Sequence, residues 1–318
     1  MKKYKSIIII LIVGLGIISC KKKGPLKGDW NRFSEPVFRD EIEGENYETA
    51  SDAHVFLDDS GNLNMIYTGD QDGSPSIKLA TGTNWINWSK KSTLLDSIGP
   101  SGLDKNKETP FYRKAASGKH QIFYIGYPTE DLYEAQIYMA ESDSLTGGYV
   151  LQSTPIVSKG VIAGKQVYCM TSPSIVEFEG KLYMTFIGWD NSPNKVTEVW
   201  ILGAISTDDG YTWTNFQEVD TRIGMEGQVV KAPDGSFYSV YTSDYKKNEG
   251  IFISHSNHPF NNWSEDKKPI LLKIGKDYEK DELIAPQLIF DPVTNEKRVF
   301  YTGADYSLGW WIMTATEN

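Results

Sequence analysis

Hydrophobic and polar residues alternate in short runs along this chain, and one arrangement of runs recurs five times. Each copy has a short polar start, an alternating apolar run, a turn and a second run rich in aromatic residues. The copies are SDAHVFLDDSGNLNMIYTG from Ser51, ETPFYRKAASGKHQIFYIG from Glu108, TSPSIVEFEGKLYMTFIG from Thr171, MEGQVVKAPDGSFYSVYTS from Met225 and IAPQLIFDPVTNEKRVFYTG from Ile284. Equivalent positions lie roughly 60 residues apart, and such a fixed interval indicates a repeat architecture.

Each copy has the chemistry of β-strands, because Tyr, Phe, Ile, Val and Met alternate with polar residues and a turn sequence such as Asp59-Ser60-Gly61 connects the two runs. Third alternating runs follow at Ser76, Gln136, Trp200, Ile251 and Trp310. Fourth runs, STLL, STPIV, FQEV and KPILL, follow in the first four copies. Four strands per repeat are typical of a propeller blade. The sequence therefore predicts an all-β fold, a five-bladed β-propeller over residues 30–318.

The two ends of the repeat region complement each other. The fifth copy reaches Asn318 without a fourth run, while the segment from Trp30 to Phe38 has the form of a fourth run. We expect this N-terminal strand to complete the last blade, which closes the ring and removes an exposed sheet edge. No long helical periodicity occurs between Trp30 and Asn318, so no helical domain is predicted.

The first 29 residues have the features of an export signal. Three lysines precede an apolar run over residues 7–18, followed by Ser19 and Cys20. The run is short for a permanent membrane span. Ile17-Ile18-Ser19-Cys20 resembles a lipobox, which implies a lipoprotein signal peptide over 1–19, lipidation of Cys20 and a polar tether over 20–29. The protein is then expected to be anchored to the bacterial cell envelope, at the outer membrane or periplasmic face. The alternative is an ordinary secretory signal with an incidental cysteine.

Composition narrows the range of ligands. The formal net charge of −10 argues against a nucleic acid partner, because phosphate binding needs clustered Lys and Arg. A sugar, or another neutral or cationic ligand, fits better. If Cys20 carries lipid, Cys169 has no partner for a disulfide. With four histidines and one remaining cysteine, neither a transition-metal site nor another cofactor is predicted. Calcium in the channel remains an option, although no EF-hand-like loop supports it.

The starts of the innermost strands are the candidate site, because a propeller gathers them around its central channel. Asp52 and Glu226 occupy equivalent positions in the first and fourth copies, and Glu108 starts the second. Glycosidic hydrolysis requires two carboxyl groups. The structural alternatives are a turn-forming role for Asp52, a surface loop for Glu226 and a solvated charged loop for Glu108.

A resemblance gives these residues roles. Asp52-Ala53 and Glu226-Gly227-Gln228 resemble the Asp-Pro and Glu-Gly-Pro strand starts of family 43 glycoside hydrolases and their five-bladed relatives. The resemblance implies an inverting glycosidase with Asp52 as general base and Glu226 as general acid, acting on arabinose-, xylose- or galactose-type linkages. That family has a third Asp, which tunes the acid, where this chain has Ser172. Catalysis then requires Asp190 or Glu108 to take over part of that role. The rival hypothesis is an inactive propeller lipoprotein that binds a glycan or a protein partner.

The remaining candidates are side chains for sugar binding. His54 lies two residues after Asp52, so both side chains are expected on the same side of the strand. Packing is the alternative role for His54 and for the aromatic residues. The substrate-binding candidates are His54, Arg113, Tyr127, Ser172, Trp189 and Trp310.

One further motif bears on the fold. The segment from Ser206 to Trp213 matches the pattern S-x-D-x-G-x-T-W, which resembles the Asp box of sialidases and other propellers. Its expected role is structural, since the Ser and Asp side chains satisfy backbone groups of a turn. A sialidase would also need an arginine triad, and only Arg113 and Arg222 lie near predicted blade entrances. The motif therefore supports a propeller more than it supports any reaction.

Overall fold

The computed structural model describes residues 30–41, 48–71, 74–96, 102, 104–128, 134–190, 198–219, 225–242, 250–265 and 268–318. Apart from one small two-stranded hairpin, their strands form five antiparallel sheets that follow one another along the chain. The first strand of each sheet contacts the first strands of the sheets on both sides, and the fifth contacts the first. The predicted all-β, five-bladed propeller is confirmed.

Two short strands, β1 (Trp30–Arg32) and β2 (Glu48–Thr49), precede the first blade. Blade 1 contains β3 (Ser51–Leu57), β4 (Leu63–Gln71), β5 (Ser74–Gly82) and β6 (Trp88–Leu95). Blade 2 contains β7 (Asn106–Lys114), β8 (His120–Tyr127), β9 (Gln136–Ser142) and β10 (Val150–Leu151). A small hairpin of β11 (Gly160–Ile162) and β12 (Lys165–Val167) leads into blade 3.

Blade 3 contains β13 (Cys169–Phe178), β14 (Lys181–Trp189), β15 (Val199–Ser206) and β16 (Thr214–Glu218). Blade 4 contains β17 (Met225–Lys231), β18 (Phe237–Thr242), β19 (Gly250–Ser256) and β20 (Ser264–Glu265), with β21 (Leu271–Leu272) also paired to β19. A 3₁₀ turn at Asp277–Glu279 precedes blade 5, which contains β22 (Glu282–Phe290), β23 (Lys297–Asp305) and β24 (Gly309–Glu317).

The N-terminal strand closes the ring, as the sequence predicts. Strand β1 pairs antiparallel with β24, where Trp30 lies opposite Glu317, and so forms the outermost strand of blade 5. Strand β2 adds a parallel pairing at the other end of β24, next to Gly309 and Trp310. Both strands tie the start of the described chain to its last strand, so no blade is left with three strands.

The outermost strands of blades 2 and 4 differ from the prediction. The STPIV run contributes a single bridge at Val157, and the outer strand forms earlier, at Val150–Leu151. In the KPILL run only Leu271–Leu272 is a strand. Each run contains a proline, Pro155 or Pro269, which has no N–H to donate to the ladder.

The Asp box has the structural role expected of it. The Ser206 and Asp208 side chains accept N–H groups of the turn, and the Trp213 ring packs edge-on against Phe123 of blade 2, 6.2 Å between centroids. Arg113 of blade 2 binds the turn through the Asp209 carboxylate, at 2.7 Å, and the Asp209 carbonyl, at 3.0 Å. The motif therefore joins blade 3 to blade 2.

Buried tyrosine–carboxylate pairs anchor the connections into three blades. The hydroxyls of Tyr67, Tyr124 and Tyr301 donate to Asp40, Asp104 and Glu279 at 3.1, 2.9 and 2.8 Å. A glycine lies two residues after each tyrosine. At Gly126 an added Cβ would lie 2.6 Å from the Asp104 Cβ, so this position has no room for a side chain. The glycine two residues after Tyr124 thus makes space for Asp104.

The expected signal peptide, Cys20 and the tether lie outside the described residues. Nowhere in the described part of the chain does a helix reach the length and hydropathy needed to span a bilayer.

Candidate active site

Each blade starts with the same backbone irregularity. The register between the first and second strands shifts once in every blade, which marks a β-bulge. One residue of each bulge has a positive φ, between 47° and 54°, although none is glycine. These residues are Asp52, Thr109, Ser172, Glu226 and Ala285. Left-handed backbone at five equivalent non-glycine positions is unusual, and such strain tends to persist where it positions functional groups.

Side chains of neighbouring blades hold the bulges in place. The N–H of Asp52 donates to Thr302 Oγ1 at 3.0 Å, and the N–H of Thr109 donates to Thr68 Oγ1 at 3.1 Å. The N–H of Ser172 donates to Thr109 Oγ1 at 3.3 Å. The last such bond joins the candidate acid to blade 5, since Glu226 Oε2 accepts the N–H of Ala285 at 3.2 Å. The first residues of the blades are therefore linked across blade interfaces.

The bulges surround a constriction of the central channel. A space of about 10 Å³ is lined by all five left-handed residues and by Pro110, Pro173 and Gln228. On one side, a cavity of about 300 Å³ is lined by the starts of the inner strands. We call this cavity the mouth. Asp52, Thr109 and Glu226 line both spaces, so the carboxylates of blades 1 and 4 lie at the floor of the mouth.

Burial and mutual repulsion control the ionisation of this pair. Burial raises the pKa of Glu226 to about 8, and the negative charge of Asp52 contributes to that rise. Burial also raises the pKa of Asp52, but hydrogen bonds from Ser51, at 2.7 Å, and from Thr68 oppose that effect. The hydrogen bonds favour a charged Asp52, and that charge favours a protonated Glu226. Burial thus raises the pKa of both carboxyl groups, and the two differ in what opposes that rise: hydroxyl hydrogen bonds at Asp52 and the Ala285 N–H at Glu226.

A third carboxylate reaches the mouth from blade 2. Glu108 lines the cavity and accepts a hydrogen bond from the Tyr127 hydroxyl, and its charge also raises the pKa of Glu226. Ser172 contributes only a hydroxyl, which lies at the constriction. Glu108 therefore supplies negative charge near Glu226 where Ser172 cannot.

Two side chains of the candidate site were not predicted from the sequence. The charge of Glu282, at the start of β22, also raises the pKa of Glu226. The sequence gives one indication of Glu282. It lies two residues before Ile284, which lines the mouth, so the two side chains are on the same side of the strand. Thr68 also lines the mouth and holds Thr109, but nothing in the sequence distinguishes it from other strand threonines.

His54 lies below the constriction and away from the mouth. It lines a second cavity of about 240 Å³ together with Phe111, Gln228 and Gln287. Its Nδ1 lies 3.3 Å from Gln228 Oε1 and 3.4 Å from Gln287 Nε2, and burial lowers its pKa to about 4. The ring is therefore neutral at physiological pH and packs against Phe111 at 4.3 Å.

The other predicted residues divide between the mouth and the periphery. Trp189 of blade 3 and Trp310 of blade 5 line the mouth. Arg113 binds the Asp-box turn and does not line the mouth. Asp190 Oδ1 accepts the N–H of Glu198 at 2.8 Å, which closes the base of the β14–β15 connection, and Asp190 does not line the mouth either. Among the residues that the structure describes, no group of three or more His, Cys, Asp or Glu side chains is arranged to hold a metal ion.

Solved structures share this architecture. No protein-family model and no curated protein matches the chain. A structure named only as a glycoside hydrolase is similar with a TM-score of 0.72 at 14% identity, over 90% of this chain and 92% of the other. The α-L-arabinofuranosidase PaAbf62A from Podospora anserina, in complex with cellotriose, has a TM-score of 0.66 at 11% identity, over 92% and 97%. The third is CoXyl43, a GH43 β-xylosidase/α-arabinofuranosidase from a compost microbial metagenome in complex with xylotriose, with a TM-score of 0.64 at 14% identity over 89% and 93%. At these identities the likeness shows a fold, the five-bladed propeller that this chain shares with glycoside hydrolases.

Proposed function

We propose that the protein is a glycoside hydrolase that cleaves a neutral oligo- or polysaccharide at the mouth. Glu226 donates its carboxyl proton to the glycosidic oxygen as the bond from that oxygen to the anomeric carbon breaks. Asp52 takes a proton from the water that attacks the anomeric carbon from the opposite face, so the configuration inverts. The proton on Asp52 then passes to solvent and Glu226 is reprotonated, which restores the starting state.

The observation that carries the proposal is the position of Asp52 and Glu226 together at the floor of the mouth, in different environments. A general acid must be protonated and a general base charged at the same pH, and enzymes meet this demand by giving two carboxyl groups different environments. The pKa of Glu226 is about 8, raised by burial and by the Asp52 charge. Burial also raises the pKa of Asp52, but hydrogen bonds from Ser51 and Thr68 oppose that rise and favour its charged form. A purely structural pair of buried carboxyl groups would only reduce stability.

The lining of the mouth supports a neutral sugar. Two tryptophans, several hydroxyl side chains and three carboxylates line it, and none of the described lining residues is Lys or Arg. Aromatic faces and hydrogen-bonding groups suit sugar rings, whereas an anionic sugar would meet like charge. Two of the structures with a similar fold are complexes with neutral trisaccharides, cellotriose and xylotriose. We therefore propose a carbohydrate with neutral residues at the cleavage point.

Glu108 is proposed to supply the charge that Ser172 lacks. Its carboxylate, held by Tyr127, raises the pKa of Glu226 from the blade 2 side of the mouth. This arrangement favours hydrolysis over the rival function, an inactive propeller that binds a glycan or a protein partner.

The test is a screen of plant and algal oligosaccharides for released sugars, with the anomeric form of the first product followed by NMR. Wild-type protein should release a product of inverted configuration, and Glu226→Gln should abolish release. Glu218→Gln, at an exposed position of β16, is the matched control and should keep full activity. Binding of oligosaccharides without any release would instead support the glycan-binding alternative.

We further propose that the protein is a lipoprotein of the bacterial envelope, with lipid on Cys20. This rests on the sequence from Lys2 to Cys20 alone. Labelled palmitate should be incorporated into wild-type protein in cells and not into Cys20→Ala, which should move to the soluble fraction. Equal labelling of both would contradict the proposal.

A further inference from the structure

The β23–β24 turn carries exposed apolar side chains at the rim of the mouth. β23 ends and β24 begins where Asp305 pairs with Gly309, at the same end of blade 5 as Glu282. Tyr306 and Leu308 in this turn are each 55% exposed. Trp310, the second residue of β24, lines the mouth, and its ring lies 5.5 Å from that of Tyr306 at an angle of 43°. The two rings form a surface that continues from the mouth to solvent.

The turn is held rigidly despite its exposure. The Tyr306 N–H donates to Asp281 Oδ2 at 2.8 Å, and the Ser307 N–H donates to Asp305 Oδ1 at 2.9 Å. Lys280 Nζ donates to both oxygens of the Asp305 carboxylate at 3.0 Å. An exposed aromatic ring on a fixed backbone loses little further entropy when a ligand covers it.

The rim surface lies on the Glu226 side of the mouth. The Tyr306 hydroxyl donates to Glu282 Oε1, and the Glu226 carboxylate accepts the Ala285 N–H of the same blade. The charge of Glu282 acts on Glu226, and that of Glu226 acts on Tyr306. The candidate proton donor, Glu282 and the Tyr306 ring are therefore neighbours at the junction of blades 4 and 5.

A general acid must contact the oxygen that leaves with the departing group. The sugar attached to that oxygen therefore extends from the mouth on the side of the acid, which here is the side of blade 5. The C–H face of a sugar ring packs on an aromatic face, and sugar hydroxyls exchange hydrogen bonds with carboxylate and phenol groups. Tyr306, Trp310 and Glu282 offer these groups together.

We propose that Tyr306 and Trp310, with Glu282, form the binding site for the leaving-group sugar, so that the substrate carries a sugar and not a small aglycone beyond the cleaved bond. This inference rests on the proposed roles of Glu226 and Asp52. It adds a subsite outside the mouth and a natural substrate of at least two sugar residues.

The experiment measures binding with cleavage blocked. In the Glu226→Gln background, the dissociation constants of xylotriose, cellotriose and arabinotriose are measured by calorimetry, together with those of xylose, glucose and arabinose. Adding Tyr306→Ala or Trp310→Ala should weaken binding of the preferred trisaccharide about fivefold to tenfold, the effect expected for one lost ring contact. Tyr306→Ala should leave monosaccharide binding unchanged, because a single sugar occupies the mouth.

Two control variants separate stacking from other effects. Tyr306→Phe keeps the ring and should retain most of the trisaccharide affinity. Tyr211→Ala removes a comparable tyrosine, 40% exposed and bonded to Glu141 at 2.7 Å, from the Asp-box turn, and should change nothing. The inference is overturned if none of the three trisaccharides binds. It is also overturned if Tyr306→Ala weakens monosaccharide and trisaccharide binding equally, or weakens neither.

The two proposals fail in different ways. Trisaccharide binding that depends on Tyr306, in a wild-type protein that releases no sugar, would retain the subsite and refute hydrolysis. Hydrolysis with trisaccharide binding that does not depend on Tyr306 would retain the enzyme and refute the subsite.

Discussion

Replacing Glu226 by Gln should remove one limb of the pH–activity profile. With a pKa of about 8 in place of the ordinary 4.5, about 90% of Glu226 is protonated at pH 7, against roughly 0.3% for an ordinary glutamic acid. The environment therefore increases the acid form roughly 300-fold at neutral pH. Wild-type kcat/KM should fall above pH 8 by about tenfold per pH unit, because the general acid loses its proton.

The assay compares two leaving groups on the sugar that the enzyme releases. With a natural disaccharide, Glu226→Gln should lose roughly 10²- to 10⁴-fold in kcat/KM, the usual contribution of a general acid. With a 2,4-dinitrophenyl glycoside, whose leaving group needs no proton, the loss should be much smaller and the alkaline limb should disappear. Asp52→Asn is the informative comparison and should lose activity toward both substrates, since water activation is needed in each case.

Two results would refute this reasoning. An alkaline limb near pH 8 that persists in Glu226→Gln would show that another group controls it. Equal losses with both leaving groups would show that Glu226 does not protonate the departing oxygen.

Three further predictions follow from the geometry. Glu108→Gln removes a negative charge that raises the pKa of Glu226, so the alkaline limb should move to lower pH, whereas a pH profile like that of wild type would leave Glu108 without an electrostatic role. Because the pKa of Glu226 is raised in the folded state, its contribution to stability is full below pH 4.5 and is lost as the pH rises through 8. Glu226→Gln should therefore raise the thermal unfolding midpoint at pH 9 and change it little at pH 4, and an equal shift at both pH values would contradict this. Gly126→Ala should reduce the free energy of unfolding by about 1–3 kcal/mol in urea titrations, because the new Cβ meets Asp104, while Ser117→Ala in the exposed turn should leave it within about 0.5 kcal/mol.

Alternation and repeat length were sufficient to predict the propeller. Half-buried strands require period-two patterning, and the Trp30 segment matched the run missing from the fifth copy. The outer strands of blades 2 and 4 were less predictable, since Pro155 and Pro269 interrupt the ladder inside apolar runs. Apolar composition alone does not reveal which residues of such a run donate hydrogen bonds.

The sequence predicts the site only for residues that occupy equivalent positions at the starts of the innermost strands. Asp52, Glu226 and Glu108 share the mouth because the repeat brings their positions together. Asp52 and His54 are two residues apart, which predicts that both side chains lie on the same side of the strand. The register shift between Ser51 and His54 interrupts that alternation, and His54 lies below the constriction. Glu282 is indicated only by its two-residue spacing from Ile284, and Tyr306 depends on the path of the β23–β24 turn, which no local pattern specifies.

The pairing of β1 has a consequence for how the molecule would be presented on a cell. Trp30 lies opposite Glu317, at the end of β24 remote from the opening where Gly309 and Trp310 lie. The polypeptide therefore joins the ring from its underside. If Cys20 carries lipid, as proposed, the attachment point lies ten positions before Trp30, and the chain from it enters the ring on the face opposite the opening.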